Sequence, residues 1–497
     1  MKRSKQNLSH NHLLSAEMGK LIPVSCVEAL PGDTIQQHTS ALVRVSPLAA
    51  PVMHPVTARI HHFFVPNRII WDGLATGDGA GNSWENFITG GPDGLNAETP
   101  PTITTTTTVN NLEDYFGIPR VAGIDINALP FRAYNKVFNE FYRDQDLVSE
   151  TSQDATAVQN IAWEKDYFTA ARPWTQKGPD VTLPLGAKAP VAHDLVGGGQ
   201  RIGVYASNTS DYRYMAAGGV NLESSTSSAT SSEGLYADLT NAIGGDINDV
   251  RKAFAIQRYQ EARSRYGSRY TEYLRYLGVN PKDARLQRPE YLGGGHTQIN
   301  FSEIMQTAPN QTIDSTPTGS VRKDQGGYGP GDLYGHGIAA MRSNKYRRFI
   351  EEHGYVISML SVRPKAIYQD GIHRSFLRTT KEDYYQRELE HIGQQEIYNN
   401  EIYAATSGGM DTFGYNDRYR EYREHPSRVS AEYRDTLDYW HMARQFASAP
   451  TLNASFVECD PTKRIYNAST NHALWIMCQN RIVARRMLSR NAAPRIF

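Results

Sequence analysis

Cysteine is scarce: Cys26, Cys459 and Cys478 are the only three in 497 residues, too few and too widely spaced for a disulfide framework or a paired-cysteine zinc site. Such usage points to a reducing compartment. No run reaches the roughly 18 uninterrupted apolar residues that a membrane span needs. The opening MKRSKQNLSHNHLLSAEMGK is polar and basic, without the apolar centre of a signal peptide. A soluble, non-secreted protein without membrane insertion is expected. Net charge is also absent: 52 basic groups balance 52 acidic ones, so any attraction to nucleic acid has to be local. Catalytic signatures are missing too, with no GxSxG, HExxH or Walker sequence. Gly77, Gly79 and Gly81 lack the further glycine of a dinucleotide loop. Glu388 and His391 make an ExxH step without the second copy that a di-iron bundle requires. His61 and His62 sit side by side in an alternating stretch, face opposite ways, and cannot form one metal pair. No enzymatic activity, cofactor or metal is expected.

What is present is turn and contact chemistry: 40 glycines, 25 prolines and 29 tyrosines. Tyrosine fits both sheets and interfaces. The stretch from Pro31 to Asp72 organises the chain, reading as two strands separated by Pro47, Pro51 and Pro55. Val56, Ala58, Ile60, His62 and Phe64 fall on one face of the second strand, and Thr57, Arg59, His61, Phe63 and Val65 on the other. The intervening prolines make a tight hairpin unfavourable, so the two strands are expected in opposing sheets. Phe131, Tyr134, Phe138, Phe141 and Tyr142 recur at helical spacing behind Pro130. Residues 248–278 predict a second helix, with arginines interleaved among tyrosines. It fits a phosphate grip, or, the reading preferred here, a helix docked by its tyrosines with arginines in solvent or at a subunit contact. Further strands are expected at 355–362, 452–456 and 474–483.

Residues 1–30 form a basic arm with Lys2, Arg3, Lys5 and Lys20 against Glu17 and Glu28. Residues 186–246 are rich in glycine, serine and threonine and read as a surface insertion into a single domain over 31–497. The region 461–497 is basic, carrying Lys463, Arg464, Arg481, Arg485, Arg486, Arg490 and Arg495 with no acidic residue after Asp460. Such a run suits phosphate neutralisation or subunit contacts.

Whole phrases carry a resemblance. ALVRVSPLAAPVMHPVTARIHHFFVPNRIIWD, ALPFRAYNKVFNEFYRDQDL, DYFTAARPWTQKGPDVTLPL, LGVNPKDARLQRPEYLGGG and FGYNDRYREYREHPSRVS are similar to the major capsid proteins of small single-stranded DNA bacteriophages, the microviruses, and their gokushovirus-like branch in particular. The resemblance implies a mainly β fold, an eight-stranded antiparallel jelly-roll barrel with long, partly helical insertions. It implies a homo-oligomeric T=1 icosahedral shell around a single-stranded DNA genome, assembled in the bacterial cytoplasm and residing in the virion. Partners would be that genome, minor or pilot and scaffolding phage proteins, and a host surface receptor. Lys2, Arg3, Lys5, Arg481, Arg485, Arg486, Arg490 and Arg495 are the candidate DNA-facing residues of the inner surface. Tyr205, Tyr212, Tyr214 and Tyr236 of the insertion are the candidate host contacts. The alternatives are a jelly-roll carbohydrate-binding or hydrolytic protein, and a DNA-binding regulator using the helix at 248–278.

Overall fold

Proline cannot donate to a sheet ladder, and Pro47, Pro51 and Pro55 leave residues 46–55 without a strand between Thr34–Val45 and Val56–Pro66. The two strands that flank this break lie in different sheets, as their spacing predicts. The computed structural model describes residues 3–72, 82–90, 99–179, 181, 191–192, 203–206, 211–215, 222–224, 236–237, 247–267, 269–305, 307, 311–316, 319–324 and 333–488. In chain order the strands of the two principal sheets are β1 (Ser4–Asn7), β2 (His10–Ala16), β3 (Leu21–Ala29), β4 (Thr34–Val45), β5 (Val56–Pro66), β6 (Glu290–Gln298), β7 (Asn300–Met305), β8 (Leu333–Arg342), β9 (Tyr346–Phe349), β10 (Gly354–Pro364) and β11 (Leu474–Arg486).

The larger sheet has seven strands in the order β1-β11-β4-β8-β7, with β2 also on β11 and β9 also on β4. The smaller has four, β6-β5-β10-β3, and every pairing in both is antiparallel. Among the described residues the two remain separate sheets and do not join into a closed barrel. The stretch expected as a basic arm is mostly strand: β1 and β2 extend the larger sheet and β3 closes an edge of the smaller.

Alternation places Val43, Leu474 and Ile476 opposite Ala58, Ile60, Leu360 and Val362 in one apolar cluster between the sheets, and Ile35 and Ile482 opposite Phe64 and Val356 in another. The residues of intermediate register on the same inward faces are polar. His62 bonds the hydroxyls of Ser358 and Ser343, each at 2.8 Å, Gln37 donates to Ser358 at 2.8 Å, and Thr39 donates to Asn480 at 2.7 Å. This satisfied polar layer fixes the register of the two sheets against each other, because a one-residue slip would strand buried polar groups.

The outward face of the smaller sheet is covered as well. Leu21, Phe63, Ile357 and Met359 pack under helix α1 (Leu129–Phe141), which presents Phe131, Tyr134, Val137 and Phe138, with Trp71 and Trp163 alongside. Tyr134 donates to the Leu21 carbonyl at 2.8 Å. The period read from the sequence is thus the buried face of α1.

Two other expectations change. Residues 452–456 do not form a strand: Asn453 accepts from the Phe456 amide and caps the short helix Ala454–Val457. The helix expected at 248–278 is two, α2 (Ile247–Tyr266) and α3 (Tyr270–Tyr276), separated at Gly267, whose φ of +93° is left-handed.

By contacts the chain divides into two units, Met1–Thr175 with Arg263–Phe497, and Gln176–Ala262. In the second, Gly203–Ala206, Asp211–Met215 and Leu222–Ser224 form a small antiparallel sheet, and Val191–Ala192 pairs with Tyr236–Ala237. No helix among the described residues is long and apolar enough to cross a membrane.

Candidate nucleic-acid and assembly surface

Residues opposite one another in an antiparallel ladder project to the same face. Along the outward face of the larger sheet this gives a sequence of rows. Ser15, Trp475, Arg44 and Ile338 make the first, and Leu13, Met477, Leu42 and Ala340 the second. Next come Asn11, Gln479, Ser40 and Arg342, then Arg481 opposite His38. Val483, Gln36 and Arg347 follow, and Lys5, Arg485, Thr34 and Phe349 complete the series.

The rows are chemically graded. The first two carry exposed apolar groups, Leu13 at 75%, Met477 at 46%, Trp475 at 45% and Leu42 at 39%. Arg44 adds one exposed cation to the first row, and the later rows carry five more, Arg342, Arg347, Arg481, Arg485 and Lys5. Arg3 stands over the Phe349 ring, 5.0 Å from its centroid, at the same end. Neither aspartate nor glutamate occurs in β1, β2, β4, β8, β9 or β11. His38 registers the resulting potential: burial first, then the cations of Arg342, Arg481 and Lys345, hold its pKa below the ordinary value. Arg342 also lies 3.3 Å from His38 Nε2.

Two segments far apart in sequence, Lys5 and Arg485, therefore become cross-strand neighbours. Arg3, Lys5, Arg481 and Arg485 share one surface. Arg486 does not join them. Its side chain turns the other way, 2.9 Å from the fully buried Asp33, so its charge is consumed inside the fold. Lys463 likewise pairs with Glu17 at 2.6 Å, and Arg464 donates to the Asp438 carbonyl at 2.7 Å. Lys2, Arg490 and Arg495 lie outside the described residues. Arg342, Arg347 and Phe349 were not singled out from the sequence, because only the ladder register brings them to the same face. The available signal was the lack of acidic residues in strands that are each unremarkable alone.

The tyrosines of the helical pair behave differently from the docking expected of them. Tyr266, Tyr270, Tyr273 and Tyr276 are all exposed, with the Tyr266 and Tyr276 rings 4.3 Å apart. Among the candidate host contacts, Tyr205 is the register partner of Tyr212, Tyr214 stands two positions further along the same strand, and Tyr236 pairs with Ala192. No cluster of three potential metal ligands occurs among the described residues.

Comparison with known proteins accounts for nearly the whole chain. Residues 1–492 match the family described as "Capsid protein (F protein)". The chain is 33% identical to the capsid protein VP1 of Bdellovibrio phage phiMH2K over 494 residues, covering 92% of this chain and 88% of that protein. It is 30% identical to the capsid protein VP1 of Chlamydia phage 1 over 556 residues, covering 92% and 89%. Against the capsid protein VP1 of Spiroplasma virus 4 the identity is 31% over 509 residues, covering 92% and 88%.

Proposed function

We propose a division of labour between the faces of this chain, which belongs to the capsid protein (F protein) family and is a gokushovirus-like major capsid protein residing in the virion. Its work is structural: copies of the chain assemble into the phage shell. The outward face of the larger sheet lies on the inside of that shell and holds single-stranded DNA. The observation that carries this is the acid-free ladder, with Arg342, Arg347, Arg481, Arg485 and Lys5 on one bare face beside Trp475 and Phe349. Cations neutralise phosphates while aromatic rings accept bases without sequence preference.

The strand order supports a jelly-roll reading of the fold. Taking β2, β11, β4 and β8 as one sheet and β3, β10, β5 and β6 as the other, the chain crosses between sheets at almost every connection. The stacked sheets would then close only through their loops. A T=1 shell, with one copy per asymmetric unit, follows from the same family likeness, as do scaffolding and pilot proteins as partners.

The unit Gln176–Ala262 would carry the outward surface and touch the bacterial receptor, supported by its separateness and its serine- and glycine-rich composition. Deleting 222–234 should leave assembly intact and reduce attachment; unchanged attachment by such particles would end that assignment. For the DNA face, Arg481→Gln with Arg485→Gln should yield shells that package less DNA and release it at lower salt. Full packaging with an unchanged salt profile would refute it.

A further inference from the structure

The layer that covers the smaller sheet contains a cavity of about 520 Å³, remote in structure from the bare sheet face and lined by Tyr142, Arg143, Gln145, Ser264 and Arg269 among others. Most charges around it are already matched. Asp144 is held by Lys165 and by Arg172, and Asp146 lies 3.0 Å from Arg172. Glu164 meets Arg59 at 3.1 Å, Asp417 meets Arg265 at 2.7 Å, and Arg420 meets Glu424 at 2.8 Å. Glu272 turns to the backbone amide of Arg269 at 3.2 Å.

Two guanidiniums stand apart from this matching. Arg143 donates to the Val148 carbonyl at 2.7 Å, and Arg269 donates to the carbonyls of Asn139 at 2.7 Å and Arg143 at 3.3 Å. Their contacts are main-chain oxygens, which orient a guanidinium without neutralising it. Beside them are polar atoms that no described residue satisfies. Ser264 is only 2% exposed, and among the described residues its hydroxyl has no hydrogen-bond partner, nor has Arg143 Nε or Gln145 Oε1. A buried polar group left without a partner keeps its desolvation penalty uncompensated, so three such groups around one cavity are unfavourable unless a ligand completes them.

We infer that this cavity is a phosphate-binding site, in which the Arg143 and Arg269 guanidiniums and the Ser264 hydroxyl donate to one tetrahedral anion. Arginine supplies the planar fork that matches two phosphate oxygens. The serine hydroxyl takes a third, and the Gln145 amide, turned end for end, presents its NH2 group to the fourth. The phosphate is either free in solution or part of a nucleic-acid strand. The site is independent of the DNA face proposed above and shares no residue with it.

The test is calorimetric titration of inorganic phosphate into the full-length unassembled subunit at low ionic strength. One phosphate should bind per chain. Arg143→Gln and Arg269→Gln should each weaken binding at least about tenfold. Ser264→Ala guards against misfolding, since it removes an unsatisfied buried hydroxyl: the thermal unfolding temperature of the ligand-free subunit should hold or rise while phosphate affinity drops about fivefold. Arg481→Gln with Arg485→Gln should leave phosphate binding intact. Competition by thymidine oligonucleotides with and without a 5′-phosphate separates the sources: displacement only by the phosphorylated form assigns a free or terminal phosphate, and displacement by both assigns the strand backbone. The inference is overturned if no phosphate binds, or if binding persists undiminished in Ser264→Ala and Arg143→Gln.

Discussion

The two sheets meet across a shared core, yet their outward faces are opposites. In the smaller sheet β5 and β10 are buried on both sides, with Phe63, Val65, Ile357 and Met359 turned into a second core under α1. In the larger, β4 and β11 alternate buried with exposed along most of their length, and the exposed set carries cations and a few apolar groups. A strand with two covered faces is committed to stability. One with a bare face keeps half its side chains free for function, at little cost to the fold.

The sharpest way to break this contrast is to remove comparable apolar bulk from each outward face. Phe63 is 1% exposed and its ring lies 4.8 Å from Phe141. Phe63→Ala should cost about 4 kcal/mol in urea unfolding of the free subunit. Leu13→Ala, at a side chain 75% exposed, should stay within about 0.5 kcal/mol. Equal losses would mean that both faces are structural.

Next in size is a test inside the larger sheet itself. Arg486 follows Arg485 directly, yet only Arg486 reaches the buried Asp33. Arg486→Gln leaves that carboxylate unpaired and should cost about 3 kcal/mol, at the low end for a broken buried pair. An unchanged unfolding midpoint would place Arg486 with the exposed cations after all.

That distinction marks where sequence reading stops. Alternation in 56–65 assigned both faces of β5 correctly, because period two is local information. The α1 stripe was legible for the same reason. The break after Val45 was legible because proline acts within its own residue. Nothing local distinguishes Arg485 from Arg486, since which one meets Asp33 depends on a strand that begins some 450 residues earlier in the chain. Likewise the basic face needed the pairing of β1 with β11 and of β9 with β4 before its cations could be seen together. The strand expected at 452–456 failed because a single capping asparagine outweighed a weak alternation.

A subtler probe addresses the buried histidines, of which His62 belongs to the polar layer of the shared core. Burial, ahead of the neighbouring His61 and His38, lowers the pKa of His62 to about 3. Burial, then Arg59 and Arg363, lowers that of His61 to about 4. Burial likewise lowers His54 to about 4, opposed in part by its bond to the Lys365 carbonyl. Folded values below the ordinary 6.5 mean that the unfolded chain binds more protons in the interval between. The stabilisation is complete above pH 6.5 and drains away as pH falls through 4 toward 3. Each histidine contributes up to about 1.4 kcal/mol per pH unit there. The urea midpoint should fall on acidification, and His62→Asn should flatten the decline by one proton. A profile that is flat from neutrality to pH 4 would remove the polar layer as a determinant of register.

The smallest effect is the most telling for the exposed face. Arg485 sits among cations, opposite Lys5 and Thr34, and no acidic residue occupies those strands. Arg485→Gln should therefore change unfolding free energy by no more than about 0.5 kcal/mol. Its consequence should appear only in binding: one fewer phosphate neutralised lowers the slope of log affinity against log salt by about 0.7 for a single strand. Measured on the free subunit with a thymidine oligonucleotide, that change should recur for Arg481→Gln and add to it in the double variant. Arg486→Gln, judged at a temperature where it remains folded, should leave the slope alone. If the slope responded to Arg486 and ignored Arg485, the ladder would have the two faces of β11 reversed. The bare sheet would then lose its claim on the genome, because charge on a face matters to DNA only when the backbone turns it outward.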